Sequence, residues 1–270
     1  MTRTEALGST GTTGAAGHPR RTPGAPCWVS LLVQDLPAAE RFYGALFGWE
    51  FRPQPTNSLL GRSARALLDG REVAGLGEQV PGRHLPASWT GYLACDDVDI
   101  TAERVRHRGG TVGVGPLDLP TAERLAVAAD PSGAVFGILP SDARDTGPHR
   151  VPGTSVWTEL VTYDVARTAR FYCEVFGHVP RADVPTAQNR LTLHLPDGPV
   201  ASVCGMQALP PDRGSQWVTC FGAADVDAAA ARTIALGGSV LVPPSDGARG
   251  RTATVADPEG ALFRFVETPG

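Results

Sequence analysis

Residues 42–49 read FYGALFGW, and residues 171–178 read FYCEVFGH, 129 positions later. Working outward from this pair, Trp28 returns as Trp157, Trp89 as Trp217, Gly109-Gly110 as Gly237-Gly238, and DPSGAVF from Asp130 as DPEGALF from Asp257. The offsets stay between 127 and 129. A period that long exceeds any solenoid repeat and is the size of a whole domain, so the chain reads as two tandem copies of one unit. Each copy then serves as an internal control for the other.

Inside the first copy, Cys27–Val33 reads as a strand, and Asp35-Leu36-Pro37 opens a helix with an aspartate N-cap and a proline in the first turn. Ala38, Phe42 and Leu46 recur at helical spacing and Gly48 closes the segment. Short strands are predicted at Glu50–Arg52, Ala64–Leu68 and Val73–Leu76, with Asp69-Gly70 as a hairpin turn. The order then restarts. Trp89–Cys95 is a strand, a helix runs from Asp97 to about His107, Gly109-Gly110 ends it, and strands follow at Thr111–Gly113, Leu125–Ala129 and Ala134–Leu139. Each half is βαβββ written twice, an α+β architecture with four modules in all. The boundaries expected are a tail over 1–24, a first domain over 25–141, a linker over 142–153 and a second domain over 154–268. The tail is rich in Thr, Gly, Ala and Pro, and is expected to be disordered.

Composition narrows the function classes. The chain has 270 residues, 42% hydrophobic and 19% charged, and a net charge of -4. All 24 basic residues are arginine, a mark of coding bias, and they form no basic run, so nucleic acid is not expected as a partner. No apolar stretch approaches the ~20 residues of a membrane span. The five cysteines contain no CxxC pair and most sit in apolar runs, which suits free thiols in a reducing cytoplasm.

Taken together, Asp35 with FYGALFGW, Asp97-Val98-Asp99 with Gly109-Gly110, DPSGAVF and their second-half counterparts resemble the vicinal oxygen chelate superfamily. That superfamily includes glyoxalases, bleomycin-resistance proteins and extradiol dioxygenases, and the resemblance is strongest to its two-domain actinobacterial branch. It implies a curved sheet per domain around a cleft that holds a ligand and often a divalent metal.

The resemblance also says where metal ligands stand. The first-strand position is Ser30 in one half and Glu159 in the other. The position after the module's tryptophan is Thr90 and Val218, and the last-strand position is Gly137 and Arg264. Only Glu159 is a metal-ligand side chain, and the six histidines form no ligand-spaced cluster, so no metal and no other cofactor is expected. Glu159 and Arg264 should instead converge on the second-domain cleft. With His194, which alternates with Leu193 and Leu195, they are the catalytic candidates: Glu159 or His194 to move a proton, Arg264 to orient an oxyanion. Trp157, Trp217 and Val218 are expected to line that cleft. Trp28, Ser30, Thr90 and Tyr92 are expected to line an apolar, hydroxyl-bearing pocket in the first.

Competing readings stay open. Glu159 and Arg264 could be a salt bridge that replaces the metal as a staple, and the tryptophans could be plain core. Arg124 and Arg251, repeated in register, read as structural ion-pair residues. The function favoured is a metal-independent tailoring enzyme, of isomerase, lyase, cyclase or hydroxylase type, acting on an aromatic or polyketide-like small molecule. A non-catalytic drug- or metabolite-binding protein is the alternative, and a divalent-metal glyoxalase or dioxygenase the second. A monomer or homodimer is expected.

Overall fold

Aspartate begins each helix in both halves. In the computed structural model, the side chains of Asp35, Asp97, Asp164 and Asp225 each accept a hydrogen bond from the backbone N–H three residues on. Gly48 and Gly177 end the first helix of each half in the left-handed conformation that glycine adopts without strain, both at φ 75°. The structure describes residues 20–57, 61–80, 82, 85–119, 124–143, 151–182, 189–209, 213–247 and 249–269. The expected disordered tail therefore falls mostly outside the described residues. Residues 20–24 are described and packed, with Arg21 N–H on Ser141 O and Gly24 N–H on Ala94 O.

The first half runs β1 (Pro26–Val33), α1 (Leu36–Phe47), β2 (Glu50–Asn57), β3 (Gly61–Leu68), β4 (Arg71–Glu78), β5 (Ser88–Cys95), α2 (Val98–His107), β6 (Thr111–Asp118), β7 (Arg124–Ala129) and β8 (Val135–Pro140). The second half repeats it as β9 (Ser155–Thr162), α3 (Val165–Phe176), β10 (Val179–Ala182), β11 (Arg190–Leu195), β12 (Gly198–Gly205), β13 (Gln216–Ala223), α4 (Val226–Ala235), β14 (Ser239–Gly247), β15 (Gly250–Ala256) and β16 (Leu262–Glu267). Each half folds into one 8-stranded sheet, ordered β2-β3-β4-β1-β5-β8-β7-β6 and β10-β11-β12-β9-β13-β16-β15-β14. The two modules of a half join where their first strands pair antiparallel, Ser30 opposite Thr90 and Glu159 opposite Val218. The observed β2 and β6 run five residues beyond the predicted ends, because their alternation is interrupted by proline and glycine at an edge of the sheet.

The helices lie on one face of each sheet, and these two faces pack against each other, α1 against α4 and α2 against α3. Neither half owns its core. One cluster joins Leu31, Phe42, Tyr43, Trp49 and Trp89 to Phe221, Phe263 and Phe265, and another joins Phe136 and Ile138 to Phe171, Tyr172 and Trp217. Matched polar relays run through both clusters. Trp89 Nε1 donates to Tyr43 Oη at 3.1 Å, and Tyr43 donates to Asp257 at 2.9 Å. Trp217 Nε1 donates to Tyr172 Oη at 2.8 Å, and Tyr172 to Asp130 at 3.2 Å. Each aspartate's other oxygen accepts the backbone N–H groups of its own DPxG turn. The tyrosine of the FY motif thus docks onto the DPxG turn of the opposite domain, which ties the two repeated motifs together.

Arg124 and Arg251 take matched structural roles. Arg124 bridges Asp99 and Asp118, and Arg251 bridges Asp227 and Asp246. In each case one partner lies in a helix's first turn and the other sits on the neighbouring strand, so the arginine pins helix to sheet.

Candidate functional site

The sheet faces away from the helices are the candidate clefts. In β9, Leu160 enters the helix-side core, so strand alternation turns Trp157, Glu159 and Val161 to the cleft. Val218 is in register with Glu159, and Cys220 with Arg264, on the same face. Glu159 and Arg264 are 3% and 9% exposed, and they touch, Arg264 Nη1 donating to Glu159 Oε2. The second carboxylate oxygen is taken by Arg190 Nη2 at 2.8 Å. Arg264 is held further by Thr254 Oγ1 and by the carbonyl of Ala208, each at 3.0 Å. The Ala208 carbonyl belongs to a short turn, Met206–Ala208, which packs with Leu209, Val161, Val218 and Leu262 over this part of the cleft.

Trp157 is covered as well. Arg249 stacks on its ring at 3.6 Å, and both side chains hydrogen-bond Ser202 Oγ. Burial alone would lower Arg190, but the Glu159 carboxylate outweighs it and holds the guanidinium above its ordinary value. Burial, reinforced by Glu159, raises Cys204 to about 11 and pushes Cys220 up too, so neither thiol supplies a thiolate nucleophile at neutral pH.

His194 shares the Arg190 face by alternation and is half-buried. Glu159 is level with Ser202 and Thr192, so His194 stands two residues along and two strands across. At strand spacing that is roughly 12 Å between backbones. Trp217 turns the other way, into the helix-side core, where its indole feeds the Tyr172 relay. The structure therefore brings Glu159, Arg264, Trp157 and Val218 together and leaves His194 and Trp217 apart from them.

In the first domain the corresponding face carries neutral groups. Ser30 Oγ and Tyr92 Oη lie 3.1 Å apart, with Thr90 across from Ser30 and all three half-buried. Two glycines make this floor flat. A Cβ at Gly137 would fall 1.9 Å from Tyr92 Cδ1, and one at Gly75 would meet the Trp28 ring at 3.4 Å. Arg65 sits over Trp28 at 5.2 Å, and Leu32, 39% exposed, extends the same face of β1. Arg65, Arg190 and Arg249 were not singled out by sequence. Arg190 shares the parity of His194 in RLTLHL, and that parity was the available signal.

These donor sets do not fit a divalent metal. In the second cleft a cation would meet two guanidinium groups around one carboxylate, with a valine beside it. In the first it would meet serine, threonine and tyrosine hydroxyls with no carboxylate or imidazole. Among the described residues, no three or more His, Cys, Asp or Glu side chains are grouped to hold one. No helix among the described residues is long and apolar enough to cross a membrane.

Comparison with known proteins agrees with this architecture. The chain is 34% identical over 250 residues to "Putative glyoxylase CFP32" of Mycobacterium tuberculosis, covering 90% of this chain and 95% of the relative. It is 35% identical over 265 residues to "Anthracycline biosynthesis protein DnrV" of Streptomyces peucetius, covering 92% and 94%. Among solved structures, the Mn(II)-bound glyoxalase from Novosphingobium aromaticivorans aligns with TM-score 0.61 and 17% identity over 91% of this chain and 82% of that one. The 2,3-dioxygenase LapB from a Pseudomonas species aligns with TM-score 0.62 and 14% identity over 93% and 94%. The family model for the Glyoxalase/Bleomycin resistance protein/Dioxygenase superfamily matches twice, over residues 27–138 and 154–265, and the chain belongs to that superfamily.

Proposed function

We propose that this chain is a metal-independent tailoring protein that binds a flat, oxygenated aromatic or polyketide-like metabolite in the first-domain cleft. The observation that carries this is the contrast between the two clefts. One is floored by Trp28 and Tyr92 and presents the hydroxyls of Ser30, Thr90 and Tyr92, while the other is filled by Glu159, Arg264 and Arg190. Aromatic rings stack on such a floor, and paired hydroxyls orient carbonyl and phenol oxygens on a ligand. The relatives named for anthracycline biosynthesis support the same ligand class. The Tyr92 hydroxyl, paired with Ser30, is the group placed to hydrogen-bond a carbonyl on which charge develops, as isomerase- or cyclase-type chemistry requires. Five cysteines with no disulfide among them suit a cytoplasmic setting, and the internal pairing of domains suits a monomer.

For the second cleft, a bracing role for Glu159 and Arg264 fits the geometry better than proton transfer, because both carboxylate oxygens are already engaged by arginines. Glu159→Gln separates the roles. As a brace, its loss leaves buried guanidinium groups without their counter-charge and costs about 3–5 kcal/mol of stability, with turnover per folded molecule kept. Tyr92→Phe and Ser30→Ala are expected to cost tenfold or more in conversion of aromatic polyketide substrates by chelator-treated protein, followed by mass spectrometry. Binding without conversion would mark a sequestering protein. Activity that disappears with chelator and returns with a divalent ion would overturn the reading, as would a folded Glu159→Gln protein devoid of turnover.

A further inference from the structure

Between the two domains lies a cavity of about 720 Å³ that borders the clefts at Trp28, Tyr92 and Trp157 and lies chiefly on the other side of the sheets. Its walls are matched pairs from the two halves: Trp28 with Trp157, Val29 with Thr158, and Asp69 with Asp197 at the tips of the β3–β4 and β11–β12 hairpins. It therefore sits on the pseudo-two-fold axis that relates the domains. Val29 faces the helix-side core, and its register partner Gly91 lines the same space, so the cavity opens on the opposite side of β1 and β5 from Ser30 and Thr90. It also separates the two aromatic clusters, with Val73 of one and Leu93 and Trp217 of the other on its walls.

We infer that this cavity is a second small-molecule site, taking a flat fused-ring aromatic molecule with oxygens at one end. Protein interiors are close-packed, and a volume of this size matches ligand pockets, not packing defects. The walls are not alike where the repeat would make them so. On the first-domain hairpin stand Arg71 and Glu72, and at the matching places on the second stand Pro199 and Val200. An apolar body is accommodated against the second-domain wall and along the buried Val29, Leu93 and Trp217. Polar substituents meet the charged hairpin of the first. A Cβ on Gly91 would meet nothing nearer than Thr158 Oγ1 at 4.0 Å, so β5 presents bare backbone to this part of the cavity wall.

This site stands whether or not the first-domain cleft binds substrate, and one titration separates the two. The probe is 1,8-dihydroxyanthraquinone, titrated by calorimetry into the full chain and into Gly91→Leu, Val156→Phe and Ser30→Ala variants. Gly91→Leu and Val156→Phe fill the cavity from opposite walls, so either one serves if the other fails to fold. The expected result is two binding events: one weakened at least tenfold in each cavity-filling variant, with melting temperature held or raised, and kept in Ser30→Ala, and one in the cleft that only Ser30→Ala weakens. A binding profile left unchanged by both cavity-filling changes overturns the inference. A single event that Ser30→Ala alone weakens also overturns it and leaves the cleft as the ligand site. No binding of the probe to the unmodified chain also overturns the inference, without bearing on conversion of substrate in the cleft.

Discussion

His178 stands where the first half has Trp49, and the exchange changes how the protein meets acid. Trp49 Nε1 donates to Gly153 O at 2.9 Å, and His178 Nε2 makes the matching bond to Gly24 O, also at 2.9 Å. A carbonyl only accepts, so Nε2 carries the proton and Nδ1 is the bare nitrogen. Nδ1 is buried and has no partner among the described residues. Burial, only partly offset by the bond to Gly24, lowers the imidazole to about 4 from its ordinary 6.5. The unfolded chain therefore binds a proton at this site that the folded one refuses. Stability from His178 is fully present above about pH 6.5 and drains as pH falls toward 4, on the order of 3 kcal/mol in total. Urea unfolding at pH 7 and pH 4.5 measures this. His178→Trp, which restores the first-half arrangement, is expected to lose distinctly less between the two pH values than the unmodified chain, and an equal loss would show that His178 is not the sensor. The substitution of W by H in the repeat is plain in the sequence. Its consequence is not, because it depends on a carbonyl 154 residues away.

At the scale of elements, the relays from β5 through α1 to the turn before β16, and from β13 through α3 to the turn before β8, bind helix to helix-side neighbour across the domain boundary. Burial, then the adjacent Asp257 or Asp130, raises both phenols far above their ordinary range, so Tyr43 and Tyr172 remain proton donors to these carboxylates. Burial also raises Asp257. Tyr43→Phe leaves Trp89 Nε1 without its acceptor and Asp257 Oδ2 without its donor, and Tyr172→Phe does the same to Trp217 and Asp130. Each is expected to cost about 1–3 kcal/mol, read as a lowered thermal midpoint, and a midpoint left unmoved by both would remove the relays from the account of stability. Helical spacing was enough to bury Phe42 and Phe171 and to predict the strand-helix order of every module. It could not name what covers the buried face, because periodicity reports that a side is apolar and not which element lies against it. The clefts show the same limit. The resemblance placed Glu159 and Arg264 together, since both stand at its ligand positions, but the third charge, Arg190, arrives from a strand whose pairing no local pattern specifies. The inter-domain cavity was invisible for the same reason, being made of two hairpin tips and two strand starts that meet only in the folded pair.

For the whole molecule, the shared cores decide what a single half can do. Residues 20–143 alone would expose Leu31, Phe42, Tyr43 and Trp49, which are buried in the full chain against Phe221, Phe263 and Phe265. The repeat offers such a half its own mirror as a substitute. Phe136 and Asp130 are the first-half counterparts of Phe263 and Asp257, and in the full chain they already accept Phe171, Tyr172 and Phe176. Those three residues are in turn the counterparts of Phe42, Tyr43 and Phe47. Two copies of the first half related by a true two-fold axis can therefore place Tyr43 of each on Asp130 of the other, an isologous interface of the kind closed dimers use. The expected outcome is a dimer of residues 20–143 by light scattering, shifted toward monomer or aggregate by Tyr43→Phe. A stable, well-folded monomer of that half would mean that each sheet and its two helices suffice as a core. The shared aromatic clusters would then be a contact between finished domains, not the interior of one structure.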